Sequence, residues 1–342
     1  MKIVIVGAGI YGSTIAISLA KLGHDIDIYD PIGIMRAASS INQYRVHRGY
    51  HYPRSDETIS EVLEARGGFI EEYSEAIISS SAHYYAIPIN GSLTSVEEFE
   101  KKCDTHKLPL SRATPTWMDF SFIDKCYKVD ESIYDHVILR NNIIKKFKKY
   151  RVNFIQSLYV EQYDDDYEKV IYATYGDPSS NGAFFDNIET QVVEKIMIKL
   201  PNDLNKKSLV VIDGPFTAFD PYGTTGYALF GSAKYTNHWC SSYPGEDIPF
   251  HYKGLLNTLD FFNYNETKFN LMINDAANTV PLIRGARYCG SKFTRRFVER
   301  NPCKDRRIMH IKQTDKKHIH VFSGKVVSAV KASILIGNLI GE

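Results

Sequence analysis

Residues 2–23 read KIVIVGAGIYGSTIAISLAKLG, and this stretch decides the fold. The short apolar run Lys2–Val6 predicts a buried parallel strand, and Ile10–Leu22 has the apolar spacing of a helix. Gly23 follows as a C-terminal stop signal. The run Asp25–Tyr29 alternates as a second strand. The sequence therefore predicts the beginning of a β–α–β fold.

The turn between the first strand and the helix matches the pattern GxGxxG. The pattern consists of Gly7, Gly9 and Gly12, with Ile10 and Tyr11 among the residues between them. Gly7 allows a tight turn, Gly9 lets the backbone approach a pyrophosphate, and Gly12 lets the helix pack closely on the strand. The helix N-terminus then offers free N–H groups to the phosphates. Asp30 ends the second strand, where a carboxylate accepts hydrogen bonds from ribose hydroxyls, which argues against NADP.

This fingerprint fits FAD and NAD equally, and the residues that follow it favour FAD. An NAD dehydrogenase of this fold should continue with alternating strands and helices. Residues 37–55 instead read AASSINQYRVHRGYHYPRS, which is a run of small and polar residues followed by arginines, histidines and tyrosines. An NAD-dependent dehydrogenase stays an alternative at this point.

Composition and charge exclude several other classes of protein. The 41 basic and 40 acidic residues give a formal charge of +1, so nothing global indicates nucleic acid or an anionic membrane as a partner. No apolar run reaches the ~18 residues that a membrane-spanning helix needs. The five cysteines are Cys103, Cys126, Cys240, Cys289 and Cys303, without a CxxC pair. They indicate a reducing cytoplasm, and neither they nor His310, His318 and His320 have metal-ligand spacing. We expect a small-molecule substrate and no metal; the oligomeric state stays open.

The polar stretch resembles the D-amino-acid-oxidase-like (DAO) superfamily of FAD-dependent oxidoreductases, which includes glycine oxidase and L-2-hydroxyglutarate dehydrogenase. In that family a Ser-Ser-x-Asn-type segment passes the flavin and a His-x-Gly element follows. The residues on this pattern are Ser39, Ser40, Asn42, His47 and Gly49, with Tyr52 where L-2-hydroxyglutarate dehydrogenases tend to have Tyr. Together with VIDGPFTAFDP (211–221) and the C-terminal SGK, the stretch looks most similar to a branch often encoded with bacterial surface-polysaccharide genes.

The resemblance implies an α/β and α+β architecture with two discontinuous domains. One is a Rossmann-like FAD-binding domain of the glutathione-reductase type, which we place at residues 1–80, 130–215 and 300–342. The other is a mainly antiparallel β-sheet substrate domain, at residues 81–129 and 216–299. The local patterns also predict helices over 56–79, 136–150 and 253–262, a capping box at 95–98 and paired strands within 189–213.

The resemblance also assigns cofactor and substrate contacts near the C-terminal half. Thr174 lies in a segment similar to the strand end beside the adenosine half of FAD. Ser323, Gly324 and Lys325 resemble the turn whose following helix faces the flavin pyrimidine. The segment 305–307, with Arg306 and Arg307, resembles an Asp-x-Arg-Pro element near the substrate, although the proline is absent.

Reactions in this family move a hydride from a carbon bearing an amine or a hydroxyl to flavin N5. Such chemistry needs a cation to hold an anionic substrate and a group to accept a proton. We predict Arg45 as the clamp and His47 as the base or orienting group, with His51 and Tyr52 as second choices. Further candidates for the substrate site are Arg287, Arg306, Arg307 and Tyr222.

Three alternatives stay open. The flavin could be attached covalently through His47 or His51, the polar cluster could serve only to fold a buried loop, or the protein could bind flavin without turnover.

Overall fold

The computed structural model describes residues 1–176, 187–300 and 305–341, so Cys303 lies outside the described residues. Two large sheets and a small one form the frame. The helices are α1 (Ile10–Lys21), α2 (Asp56–Glu72), α3 (Val96–Thr105), α4 (His136–Tyr150), α5 (Phe250–Lys253), α6 (Phe269–Ala276) and α7 (Ala329–Gly341).

The first sheet carries the predicted β–α–β unit. Its strands are β1 (Lys2–Val6), β2 (Asp25–Tyr29), β9 (Asn153–Ile155), β10 (Lys169–Tyr172), β17 (His310–Gln313) and β18 (His318–Phe322). Their order is β17-β18-β10-β1-β2-β9, and every pair except β17–β18 is parallel. Because parallel strands end at one edge, the residues after Val6, Tyr29, Tyr172 and Phe322 meet there. This edge is where the fingerprint places the dinucleotide.

The second sheet is almost entirely antiparallel. Its strands are β5 (Ala82–Pro88), β6 (Leu110–Arg112), β7 (Ile123–Val129), β11 (Ile188–Lys199), β12 (Lys207–Val211), β13 (Thr217–Pro221), β14 (Ala228–Ser232), β15 (Asn237–Cys240) and β16 (Arg287–Glu299). The order is β15-β11-β14-β13-β12-β5-β7-β6, and β16 pairs along β11. The small third sheet joins β3 (Arg45–Val46), β8 (Ser132–Tyr134) and β4 (Ile77–Ile78).

The two large sheets share one apolar core. Ile5 of β1, Tyr85 of β5 and Leu229 of β14 belong to the same cluster of buried side chains. Burial of this shared surface is the main stabilising term that holds the sheets together. The expected fold class, a Rossmann-like domain with a mainly antiparallel second sheet, is confirmed.

Several local predictions need correction. The helix predicted over 253–262 is wrong: the helical turn ends at Lys253, Asn257 adopts φ +57°, and Leu256 and Phe262 bridge to β16. The helix predicted over 56–79 ends at Glu72, and the strands within 189–213 share a sheet but are separated by β13 and β14. Because β11 and β12 both belong to the second sheet, we move the boundary between the two domains ahead of residue 188, and the division into domains stays a proposal.

Candidate flavin and substrate site

The glycine turn brings the first helix and strand into direct backbone contact. A Cβ atom on Gly12 would lie 1.8 Å from the carbonyl oxygen of Gly7, and one on Gly7 would lie 2.7 Å from that of Ala173. Gly7 also has φ +102°, a conformation that favours glycine. Helix α1 starts after Gly9 without a side-chain cap at that residue. Apart from the N–H group of Ile10, which Ser39 Oγ engages, its first N–H groups are therefore available to a ligand's phosphates.

Two side chains fix the shape of this turn. Asp30 accepts hydrogen bonds from the N–H groups of Ala8 (2.9 Å), Ile32 (2.8 Å) and Gly33 (2.9 Å). Ser39 Oγ accepts one from Ile10 N at 3.0 Å. Both predicted cofactor residues thus lie beside the glycine turn.

The neighbouring predicted cofactor residues Ser40 and Asn42 shape the chain that follows. Ser40 Oγ donates to Arg36 O and Ala37 O, both at 2.9 Å. Asn42 Oδ1 accepts from Tyr44 N at 2.6 Å. These side chains are engaged locally, so they position the segment through its backbone.

The C-terminal turn reaches the same edge of the first sheet. Tyr11 Oη donates to Lys325 O at 2.6 Å, which joins the start of α1 to the segment before α7. Ser323 Oγ accepts from Lys325 N at 3.2 Å, and the position of a Cβ on Gly324 lies 4.0 Å from Tyr175 Oη. The turn predicted to face the flavin therefore lies at the dinucleotide edge.

These residues fit FAD. The glycine turn offers free N–H donors, and Thr174 Oγ1 is buried at the same edge without a hydrogen-bond partner among the described residues. A buried polar atom without a partner is costly, so Thr174 is a ready donor or acceptor for a ligand. The pyrophosphate would bind at Gly9–Gly12, and the Ser323–Lys325 turn would hold the ring end.

Arg45 occupies a different environment from the one predicted. Its guanidinium is fully enclosed between Asp220, at 2.6 Å, and Glu131, at 3.1 Å. It also donates to Ser208 Oγ at 2.7 Å and lies 3.4 Å from Tyr85 Oη. Because the protein itself engages Nε, Nη1 and Nη2, the role of substrate clamp does not suit this arginine.

A second arginine links the same two stretches of sequence. Arg54 makes a two-point contact with Asp213, through Nε to Oδ2 and Nη2 to Oδ1. Thr94 Oγ1 donates to the same carboxylate at 2.9 Å. The stretch 42–55 and the stretch 211–221 are therefore joined by two Arg–Asp pairs, Arg45–Asp220 and Arg54–Asp213.

His47, His51, Tyr52 and Lys325 form one compact group, here called the histidine cluster. The ring centroids lie 5.3 Å apart for His47 and His51, 5.5 Å for His47 and Tyr52, and 5.2 Å for His51 and Tyr52. The Nζ atom of Lys325 lies 3.4 Å from the centre of the Tyr52 ring. His47, the predicted base, thus lies together with His51 and Tyr52, the second choices. Lys325, which is predicted to contact the cofactor, belongs to the same group.

The electrostatics of the histidine cluster favour neutral imidazoles. Burial lowers the pKa of His47 against the opposing effect of Glu131, and the positive charges of Lys325 and Arg45 lower it further. The pKa of His51 is lowered well below its usual value by burial and then by His47. A neutral imidazole keeps one unprotonated nitrogen, as a general base requires.

Lys325 carries a buried amino group that has no carboxylate partner among the described residues. Among the described residues no carboxylate oxygen lies within 4.0 Å of its Nζ atom. Burial and then the charge of Arg307 lower its pKa well below the usual value. A bound anion would compensate this charge, since an unpaired buried cation is costly.

The remaining predicted substrate residues divide into two groups. Arg307 lies near the cluster and pairs with Asp305 at 2.9 Å, and Tyr222 stacks on Tyr44 with ring centres 5.6 Å apart. Arg306 instead pairs with Glu299 and Glu57. Arg287 is exposed at the first residue of β16, so nothing in the structure brings it to the histidine cluster.

Among the charged residues beside the site that were not predicted from the sequence are Glu131 and Lys195, which are buried, and Arg296, which is half-buried. Burial lowers the pKa of Lys195 to about 8 and that of Arg296 to about 10. Arg296 donates to the neutral amides of Gln191 (2.7 Å) and Asn237 (2.8 Å). The signal that could have identified Lys195 is the Glu-Lys pair within the otherwise apolar run VVEKIMI.

Within the described residues, no group of histidine, cysteine and acidic side chains could hold a metal ion. The same residues contain no helix that is long and apolar enough to cross a membrane.

The fold is similar to that of several oxidases with solved structures. Glycine oxidase from Geobacillus kaustophilus superposes with a TM-score of 0.73 over 99% of this chain and 94% of its own, at 14% identity. Iminodiacetate oxidase from Chelativorans sp. BNC1 gives 0.70 over 99% and 95%, at 11% identity. At these identities the likeness concerns the fold.

The N-terminal part of the sequence is similar to a known family. Residues 2–116 match the family model DAO, described as FAD dependent oxidoreductase. The FAD-dependent monooxygenase FPY4 of Fusarium mangiferae is 28% identical over 133 residues, which are 38% of this chain and 35% of that protein. The chain thus aligns with about a third of this relative. Residues 2–116 thus resemble the corresponding part of DAO-family FAD-dependent oxidoreductases, and the predicted cofactor, FAD, is confirmed.

Proposed function

We propose that the protein oxidises a small anionic amine or 2-hydroxy acid by hydride transfer to FAD. The observation that carries the proposal is the histidine cluster, in which a neutral histidine lies beside a buried lysine that has no carboxylate partner among the described residues. This pairing supplies the two groups that oxidation of such a substrate needs, a base and a cation.

His47 is the proposed base. Its Nδ1 atom is fully enclosed on the side of Glu131, and 18% of the side chain is exposed, so Nε2 is the nitrogen to which we assign proton uptake. FAD, when bound, supplies the hydride acceptor at flavin N5. The donor C–H bond breaks with both electrons leaving as hydride, the O–H or N–H proton passes to His47 Nε2, and a C=O or C=N bond forms.

Lys325 and Arg307 are the proposed partners of the substrate's carboxylate. They replace Arg45, whose guanidinium is held by Asp220 and Glu131. The positive charge of Arg307 contributes to the lowered pKa of Lys325, so a carboxylate bound between them would relieve a repulsion. His51 and Tyr52 would then form the wall of the site beside His47.

The first test is a visible spectrum of the purified protein, followed by anaerobic addition of pooled amino acids, 2-hydroxy acids and sugar- or nucleotide-linked amines. We expect a flavin spectrum that one pool bleaches. A flavin spectrum that no pool bleaches would favour a flavin-binding protein without turnover. The sugar- and nucleotide-linked pool also tests the association with polysaccharide synthesis, which stays a prediction.

The role of the cation is tested by Lys325→Met. We expect weaker substrate binding, seen as a higher substrate concentration for half-maximal bleaching, because the carboxylate loses its partner. Lys234→Met is the matched control, since Lys234 is exposed and its Nζ lies 5.0 Å from the centre of the Tyr235 ring. Equal effects of the two variants would contradict the proposed clamp.

A further inference from the structure

Glu131 lies behind the imidazole of His47. It lies between β7 and β8, and its side chain is fully buried. Oε2 accepts from Arg45 Nη1 and from Tyr85 Oη, both at 3.1 Å. Oε1 accepts from Arg48 N at 3.0 Å and lies 3.7 Å from His47 Nδ1, which is just beyond hydrogen-bond distance, and Nδ1 has no other partner among the described residues. Three donors thus hold the carboxylate in place behind the imidazole.

This carboxylate stays ionised. Burial alone would raise the pKa of Glu131, but His47 and Arg45 together hold it far below its usual value. An ionised carboxylate accepts hydrogen bonds and cannot donate one. The nitrogen of His47 that faces it is therefore favoured as the protonated one, which leaves the lone pair on Nε2.

We propose that Glu131 is a positioning residue that fixes the Nδ1–H tautomer of His47 and stabilises the imidazolium after proton uptake. Its role in catalysis rests on the proposed function, because it acts through the base of that reaction. Arg45, which pairs with Glu131, keeps the carboxylate aligned and ties it to Asp220 in the second sheet. Arg45, which the sequence analysis assigned to substrate binding, would thus position Glu131 and, through it, the proposed base His47.

The other groups that face His47 determine the sign of the expected change. Lys325 and Arg45 carry positive charges, and the neutral rings of His51 and Tyr52 pack on the remaining sides. Glu131 is the group that raises the pKa of His47, while burial, Lys325 and Arg45 lower it. Replacing Glu131 by a neutral side chain of the same shape should therefore lower the pKa of His47 further.

The test is two-dimensional NMR of the FAD-loaded protein labelled with ¹⁵N-histidine, with His47→Gln used to assign the resonance. In the wild type we expect neutral His47 to carry its proton on Nδ1. A neutral His47 with its proton on Nε2 would overturn the proposal without any variant. This measurement needs no substrate, so it is independent of whether a pool bleaches the flavin.

The variant Glu131→Gln sharpens the test. We expect a mixture of His47 tautomers and roughly a tenfold loss of proton affinity, which corresponds to about one pKa unit. His238, whose Nε2 lies 2.9 Å from Glu194 in the second sheet, serves as the internal control and should not change. An unchanged His47 tautomer and titration in Glu131→Gln would refute the role of Glu131.

If the His238 resonance also moves, the substitution has disturbed the fold. In that case Glu131→Asp is used in place of Glu131→Gln, because aspartate keeps the negative charge and has a shorter side chain. We expect Glu131→Asp to retain the Nδ1–H tautomer at least in part. Complete loss of the preference in a variant that keeps the carboxylate would again contradict the proposal.

Discussion

The glycine turn and the histidine cluster lie within one proposed site but are built differently. The turn is held by hydrogen bonds between residues close in sequence, with separations of 22 for Ala8–Asp30 and 29 for Ile10–Ser39. Behind the histidine cluster, Arg45 is held by partners 86 and 175 residues away, Glu131 and Asp220. The first is a local motif, and the second exists only after the two sheets have packed.

This difference explains why the two regions should respond differently to substitution. In the turn the space between backbones is filled, so even one added methyl group has no room. Behind the histidine cluster the interactions are ionic and buried, so the loss of one partner leaves an unpaired charge. Each region can be tested with a variant matched to its own physical cause.

The largest effect is expected from Gly12→Ala. Its Cβ atom would lie 1.8 Å from the carbonyl oxygen of Gly7, so the helix must move away from the strand. We expect loss of bound FAD, measured as the ratio of flavin to protein absorbance after purification. Retention of a normal flavin ratio would contradict the close approach of α1 and β1.

Gly67→Ala is the matched control for this substitution. Gly67 lies within α2, and a Cβ atom there would have no neighbour within 4 Å. Alanine favours a helix over glycine by up to about 1 kcal/mol. We therefore expect normal FAD content and an unchanged or slightly higher free energy of unfolding.

The next largest effect is expected from Arg45→Met. This substitution leaves Asp220 and Glu131 buried without their shared cation. Removal of one partner from a buried ion pair costs about 3–5 kcal/mol. Urea unfolding should show a loss of this size in the free energy of unfolding.

Arg54→Met provides the comparison for the second Arg–Asp pair. The side chains of Arg54 and Asp213 are 26% and 14% exposed, so water can partly replace the lost partner. We expect a smaller loss, about 1–2 kcal/mol. Equal losses for the two variants would show that burial does not distinguish the pairs.

The sequence predicted the local parts of the fold well. The bounds of α4, His136–Tyr150, and the capping box of Ser95 and Glu98 are confirmed, as is the unit built on Gly7–Gly12. Each depends on apolar spacing or on hydrogen bonds within a few residues. Such features are present in the chain before any long-range contact forms.

The roles within the site could not be predicted in the same way. Arginine in a polar stretch suits a substrate carboxylate and a protein carboxylate equally, because both present the same two oxygens. The choice for Arg45 depends on Asp220, which reaches it only because β13 packs against the loop that carries β3. Glu131 offered no signal, since acidic residues that follow a strand, here Asp130 and Glu131, are usually exposed.

The pH dependence of stability tests His83, a buried residue near Arg45. It is 1% exposed, neither ring nitrogen has a hydrogen-bond partner among the described residues, and burial lowers its pKa to about 4. The unfolded chain, with a pKa near 6.5, binds more protons as the pH falls from 7 to 5, so the wild type loses stability over this range. His83→Leu should remove about 2 kcal/mol of that loss, measured by urea unfolding at both pH values.

His318 should change the pH dependence of stability in the opposite direction. Despite partial burial, Asp315 and Asp164 raise its pKa, so its contribution to stability is present at low pH and lost as the pH rises through the folded-state pKa. His318→Gln should therefore make the loss between pH 7 and pH 5 steeper, whereas His83→Leu makes it shallower. The same change in slope for both variants would contradict the view that His83 is held neutral by burial beside Arg45.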